Sequence, residues 1–172
     1  MTGRSSSGKE LPYPRGVDAE GAARVIAVFE GRGQLDRLEQ VDVSSAHICL
    51  DRARARLTAA SLLMEAELWE SVFTTAYDAY RTAADALVLL LGFRVPATAG
   101  THRIATDIAH GALQSTTEAF APAGAERFRR GRHESEYFDP ARPVDKTAAD
   151  ARWAVDLAGR AIDAVAAAIS AS

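Results

Sequence analysis

The chain is poor in what most other fold classes need. It has one cysteine, Cys49, so it has no internal disulfide and no all-cysteine metal site, and it fits a reducing compartment. Aromatic residues are 7% of the total. β-branched residues are also sparse, and a pleated sheet depends on both kinds. The longest apolar run, Ala83 to Phe93, is broken by Asp85 and is too short to span a bilayer. The first sixteen residues, MTGRSSSGKELPYPRG, contain no apolar core of the kind a signal peptide carries. The expected location is cytoplasmic, away from any membrane. The net charge is −3, so the molecule is no polycation that coats nucleic acid over its whole surface, although a local basic patch remains open. Gly31-Arg32-Gly33 lacks the further glycine, the lysine and the strand of a phosphate loop.

What is abundant is alanine, the strongest helix former. With 172 residues the expected class is all-α: one antiparallel up-and-down bundle of four to five helices. Residues 1–16 read as a disordered tail. Residues 17–43 read as an N-terminal helical extension, with a helix from Asp18 to Phe29 ended by Gly31 and Gly33, then a short helical piece from Gln34 to Gln40. The bundle proper spans 44–172.

Its first helix opens at Ser44–Ser45, N-cap candidates, and carries the stripe Ala46, Leu50, Ala53, Leu57, Ala60 and Met64. After a break near Leu63–Glu67 comes the longest helix, about Glu67 to Leu91. Two adjacent apolar stripes mark it as central, and Gly92 and Pro96 end it. A third helix reads from Thr101 to Leu113, and a fourth from Pro122 to Phe138, stopped by Asp139-Pro140. The last opens on Thr147, with Asp150 three residues on, as a capping box. The alanine stripes allow close helix approach and leave a second face of the long helix for dimerisation.

The fourth helix holds the residues of interest, Glu126-Arg127-Phe128-Arg129-Arg130-Gly131-Arg132-His133-Glu134-Ser135-Glu136-Tyr137. Its inward stripe runs Ala121, Ala125, Phe128 and then Arg132, an arginine at an apolar register position. A buried charge is costly without a partner, so Arg132 is either paired or faces a cleft. His133 and Tyr137 share a neighbouring face, and Arg129 and Arg130 lie one turn earlier. Guanidinium forks, an imidazole and a phenol on one turn suit a phosphate. The plainer alternative is that the arginines complement the helix dipole and that Arg132 pairs with Glu136, Asp78 or Asp85.

Two stretches, Ala76-Tyr77-Asp78-Ala79-Tyr80-Arg81-Thr82-Ala83-Ala84-Asp85-Ala86-Leu87 followed by Gly92 and Thr101-His102-Arg103, and Arg129-Arg130-Gly131-Arg132-His133-Glu134-Ser135-Glu136-Tyr137, resemble the HEPN superfamily of higher-eukaryote and prokaryote nucleotide-binding domains. The second stretch looks like the small bacterial branch with an Arg-polar-x-x-x-Tyr motif. The resemblance covers roughly Ser44 to Ile169. It implies a helical bundle, usually dimeric. Many members are metal-independent endoribonucleases, often toxins with a cognate antitoxin or nucleotidyltransferase, and others are inactive binding modules. By position it implies Arg132, His133 and Tyr137 as catalytic candidates and Arg129, Asp78, Arg81 and His102 as ligand-binding candidates, with no metal and no cofactor. Tyr137 stands where the nucleases have a histidine, and a phenol of ordinary pKa near ~10 is a poor general base at neutral pH. A second register pairs Arg127 with His133.

Three functions follow as expectations. One is a dimer that binds RNA or a nucleotide phosphate without cutting it. The second is a metal-independent endoribonuclease, with His133 or His102 as base and Arg132 and Arg129 stabilising phosphoryl charge. The third is a structural or regulatory dimer without a ligand. His47, His110 and Cys49 are assigned no chemistry, and Tyr77, Tyr80, Trp69 and Phe73 are read as core.

Overall fold

A computed structural model describes residues 13–97, 103–137, 139–141 and 145–172. Six helices and one short two-stranded ladder make up the described chain. They are α1 (Ala19–Gly31), β1 (Asp36–Arg37), α2 (Val43–Glu65), α3 (Trp69–Leu90), β2 (Phe93–Arg94), α4 (Ile104–Leu113), α5 (Pro122–Glu136) and α6 (Ala148–Ser170). The class is all-α, as expected, and five of the six described helices lie from Val43 onward. No helix among the described residues is long and apolar enough to cross a membrane.

α3 is the central helix. It packs against α2, α4, α5 and α6, which is why it carries two apolar stripes where its neighbours carry one. Alanines at 76, 79, 83, 84 and 86 are fully buried, and their small side chains let the flanking helices come close. The large side chains gather at the α3–α5–α6 junction. Phe128 packs edge-on to Phe73 (5.3 Å between centroids) and Tyr77 (5.6 Å), and tilted against Tyr80 (5.1 Å) and Trp153 (5.0 Å). Phe120 closes the far side on Tyr80 at 5.1 Å.

The helix starts follow local chemistry. Thr147 and Asp150 form the reciprocal capping box anticipated for α6. α2 is capped two residues before the first of the serines that the sequence suggests. Asp42 is its N-cap and accepts from the Ser44 amide (2.9 Å) and from the Ser44 (2.6 Å) and Ser45 (2.7 Å) hydroxyls. Those hydroxyl bonds hold its carboxyl down at about 2. The turn between α2 and α3 contains neither glycine nor proline, and Glu67 takes the left-handed conformation there, φ 57. Gly92, φ 86, ends α3.

The short helix expected over Gln34–Gln40 is not formed. Asp36 and Arg37 instead pair antiparallel with Arg94 and Phe93. Leu35 is buried, Arg94 bonds Asp36 at 2.9 Å, and Arg37 lies over the Phe93 ring at 4.7 Å. Contacts with a distant segment outweigh a weak helical preference in so short a piece. Most of the expected N-terminal tail lies outside the described residues; its last part, from Tyr13, packs against the core.

α1 reaches the bundle through α4. The Asp18 amide donates to the Ala112 carbonyl at 2.7 Å, and the Gln114 side chain donates to the Asp18 carboxylate at 3.2 Å. Gly21 and Gly111 face each other backbone to backbone at the crossing.

Candidate phosphate-binding site

α5 begins on Pro122, a residue whose missing N–H costs nothing in a first turn. Phe128 and Gly131 seat it. Gly131 lies against the edge of the Phe73 ring, which occupies the space a Cβ would need. This close seat brings the flanking arginines of α5 down onto α3.

Arg132 stays near the expected inward register but remains 28% exposed. Its guanidinium lies over the Tyr77 ring, 5.2 Å from the centroid. One terminal nitrogen contacts Glu136 at 2.7 Å. Its Nε faces Asp78 at 3.9 Å, beyond hydrogen-bond range, and is buried without an acceptor. Asp85, the other carboxylate considered for it, instead lies in the field of Arg81 and Arg56, with burial raising its pKa above the ordinary value. Arg129, 23% exposed, is paired with Glu126, and its second terminal nitrogen is also buried without an acceptor.

Arg81, Arg132 and Arg129 share a focus in the Tyr77 phenol. Burial pushes its pKa up, and the three guanidinium charges pull it down. Arg129 also faces the Tyr80 phenol, which is fully enclosed, has no hydrogen-bond partner and is likewise raised by burial. Four sequence candidates, Asp78, Arg81, Arg129 and Arg132, therefore gather on one patch between α3 and α5.

His133 and Tyr137 form a separate pair. Their rings pack tilted, 4.6 Å between centroids, and both side chains are exposed. Tyr137 lies past the helix, at its C-cap, in extended conformation. His102 lies outside the described residues. In the second register Arg127 is held elsewhere, bonded to Asp150 at 3.2 Å and stacked over Trp153 at 4.0 Å.

Sequence reasoning did not identify Tyr77, Glu126 or Gly131 as parts of the site. Tyr77 carried a usable signal, since it directly precedes Asp78 and lies one helical turn before Arg81 on the same helix. Among the described residues no group of three or more His, Cys, Asp or Glu side chains gathers as a metal site would. The Cys49 thiol donates to the Thr82 carbonyl at 3.5 Å and is pushed up to about 11 by burial, which keeps it protonated and unreactive at neutral pH.

Chemically, the patch offers guanidinium donors on an aromatic floor, a surface suited to phosphoryl oxygens. No curated protein and no solved structure gives a significant match to the chain. A family model described as the HEPN domain matches residues 46–168. That is well over half the chain, and it takes in both α3 and α5: this protein belongs to the HEPN domain family.

Proposed function

We propose that this chain is a non-catalytic HEPN module, a cytoplasmic homodimer that binds RNA through phosphate groups at Arg132, Arg129 and Arg81, with Asp78 holding Arg132 in place. The observation that carries this reading is that Arg132 Nε and a terminal nitrogen of Arg129 are buried without acceptors beside the Tyr77 phenol. A buried donor left unmade costs free energy; these nitrogens lie beneath the accessible surface, so a phosphoryl oxygen relieves that cost with a charge-assisted bond once the side chains above them shift. A cognate antitoxin or nucleotidyltransferase is the expected class of protein partner.

The catalytic alternative fits less well. A general base has to be oriented on the proton it removes. Within one protomer the His133 ring rests on Tyr137 at the exposed helix end, while Arg132 turns inward over Tyr77. A purely structural role for Arg132 has one observation in its favour, the contact to Asp78 that joins α5 to α3.

Arg132→Ala separates the three readings. With a fluorescein-labelled single-stranded RNA of mixed sequence, anisotropy is expected to show about tenfold weaker binding, the loss of one charge-assisted phosphate contact. The melting midpoint should fall by only about 2 °C, because partly exposed ion pairs contribute little. A fall of many degrees with unchanged RNA affinity would establish the structural role. RNA cut by the wild-type chain, and left intact by Arg132→Ala, would establish the nuclease.

A further inference from the structure

Each motif arginine is already occupied by a glutamate of its own helix. Glu126 pairs with Arg129 three residues on, and Glu136 pairs with Arg132 four residues back. The partners are unequal. The arginines are 23% and 28% exposed, whereas Glu126 and Glu136 are 60% and 40% exposed. The guanidinium stems are seated on α3, and the carboxylates reach in from the solvent side. Arg129 also draws the Glu126 carboxyl below the ordinary carboxylate range, so it is charged at neutral pH.

Other ion pairs of the same region are built differently. Asp150, the partner of Arg127, is also committed to capping α6 through Thr147. Glu134 is paired at 2.7 Å with Lys146, which is almost fully buried over the Phe73 ring. Those carboxylates have structural duties. Among the described residues, neither Glu126 nor Glu136 makes a side-chain bond to anything but its arginine.

On the reading that this patch binds RNA phosphate, we infer that Glu126 and Glu136 are replaceable occupants of the Arg129 and Arg132 forks, which RNA phosphates displace. A carboxylate offers a guanidinium two oxygens much as a phosphate edge does. It is therefore a stand-in that keeps half-buried arginines paired while the site is empty. Its departure costs little, because the pair is already partly solvated, with Glu126 60% and Glu136 40% exposed. Being tethered, it also competes at high effective concentration. A single free carboxylate or an acidic peptide does not outcompete it, whereas a chain of phosphates that engages both forks together does. The device thus sets the ligand class, polyphosphate chains over isolated carboxylates, and it lowers RNA affinity below what the arginines alone would give.

The test uses the full chain and the same labelled RNA. Glu136→Gln and the charge-preserving Glu136→Asp, whose shorter arm cannot hold the contact, are each expected to tighten binding about threefold, the scale of one exposed ion pair. Glu126→Gln with Glu136→Gln is expected to tighten it about tenfold. Glu65→Gln, at the exposed end of α2, removes the same charge and is expected to change binding little. Adding Arg132→Ala to Glu136→Gln should abolish that gain.

The inference is overturned if the Glu136 variants bind no more tightly than wild type, or if Glu65→Gln gains as much as they do. RNA binding that is weakened by Arg132→Ala while the glutamate variants are inert would remove the displacement mechanism and leave the RNA site standing. Absence of RNA binding by the wild type and all variants would remove both.

Discussion

Replacing Phe128 with alanine is expected to cost the bundle about 3–5 kcal/mol, the range for a large aromatic removed from a packed core. The ring is fully buried and meets Phe73, Tyr77, Tyr80 and Trp153, so it joins α5 to both α3 and α6. None of those four rings can fill the gap without leaving another contact, because interiors are packed at crystal-like density. For a chain of this size the melting midpoint should fall by roughly 10 °C, read by circular dichroism. The loss has a functional side. α5 makes few other contacts with α3, and Arg129 and Arg132 owe their posture to that seat. RNA affinity should therefore fall in Phe128→Ala even at temperatures where the chain stays folded. A shift under about 2 °C would mean that α5 is held by something else.

Gly21→Ala is expected to unseat α1. A Cβ at Gly21 would lie well inside the contact radius of the Gly111 carbonyl oxygen, and one at Gly111 would come within 2.8 Å of the Gly21 carbonyl. Both obstacles are backbone, so no rotamer change relieves them. An alanine in a helix ordinarily gains about 1 kcal/mol over glycine, but overpacking costs about 1–3 kcal/mol or more. At a backbone-to-backbone crossing the second effect prevails. The bonds from Asp18 to Ala112 and Gln114 span this same crossing and would be lost with it. Hydrogen exchange measured by mass spectrometry should show the amides of α1 losing protection while those of α3 and α6 keep theirs. Unchanged protection in α1 would show that the crossing has slack.

Much of the fold was legible because helices announce themselves through period. The α3 pattern, with two apolar stripes, already required a helix packed on two sides, and Thr147 with Asp150 marked the start of α6 by capping chemistry alone. Where the sequence misled, the cause was a partner far along the chain. Asp36 and Arg37 form a ladder because Phe93 and Arg94 lie opposite, and nothing local to residues 34–40 records that. The α2–α3 turn lacked its usual glycine signal because Glu67 adopts the left-handed conformation itself. At the site, the apolar register singled out Arg132, which lies partly buried over the Tyr77 ring, since an arginine in a greasy stripe needs company. Helical spacing also suggested that Glu136 would supply some of it. It could not reveal that Tyr77, read as core, lies beneath Arg132 with its phenol in the field of Arg81 and Arg129 as well, nor that His133 and Tyr137 pack on each other at the exposed helix end. Those facts depend on the rotation of α5 against α3, which Gly131 fixes by resting on Phe73.

The central claim is that Arg129 and Arg132 take RNA phosphates, and the salt dependence of affinity tests it most directly. Each phosphate contact on a single strand contributes about 0.7 to the slope of log affinity against log salt. The Arg129→Ala, Arg132→Ala double variant is therefore expected to bind the labelled RNA more weakly, with a slope shallower than wild type by about 1.4. Equal slopes for the two proteins, whatever their affinities, would mean that these guanidinium groups contact no phosphate.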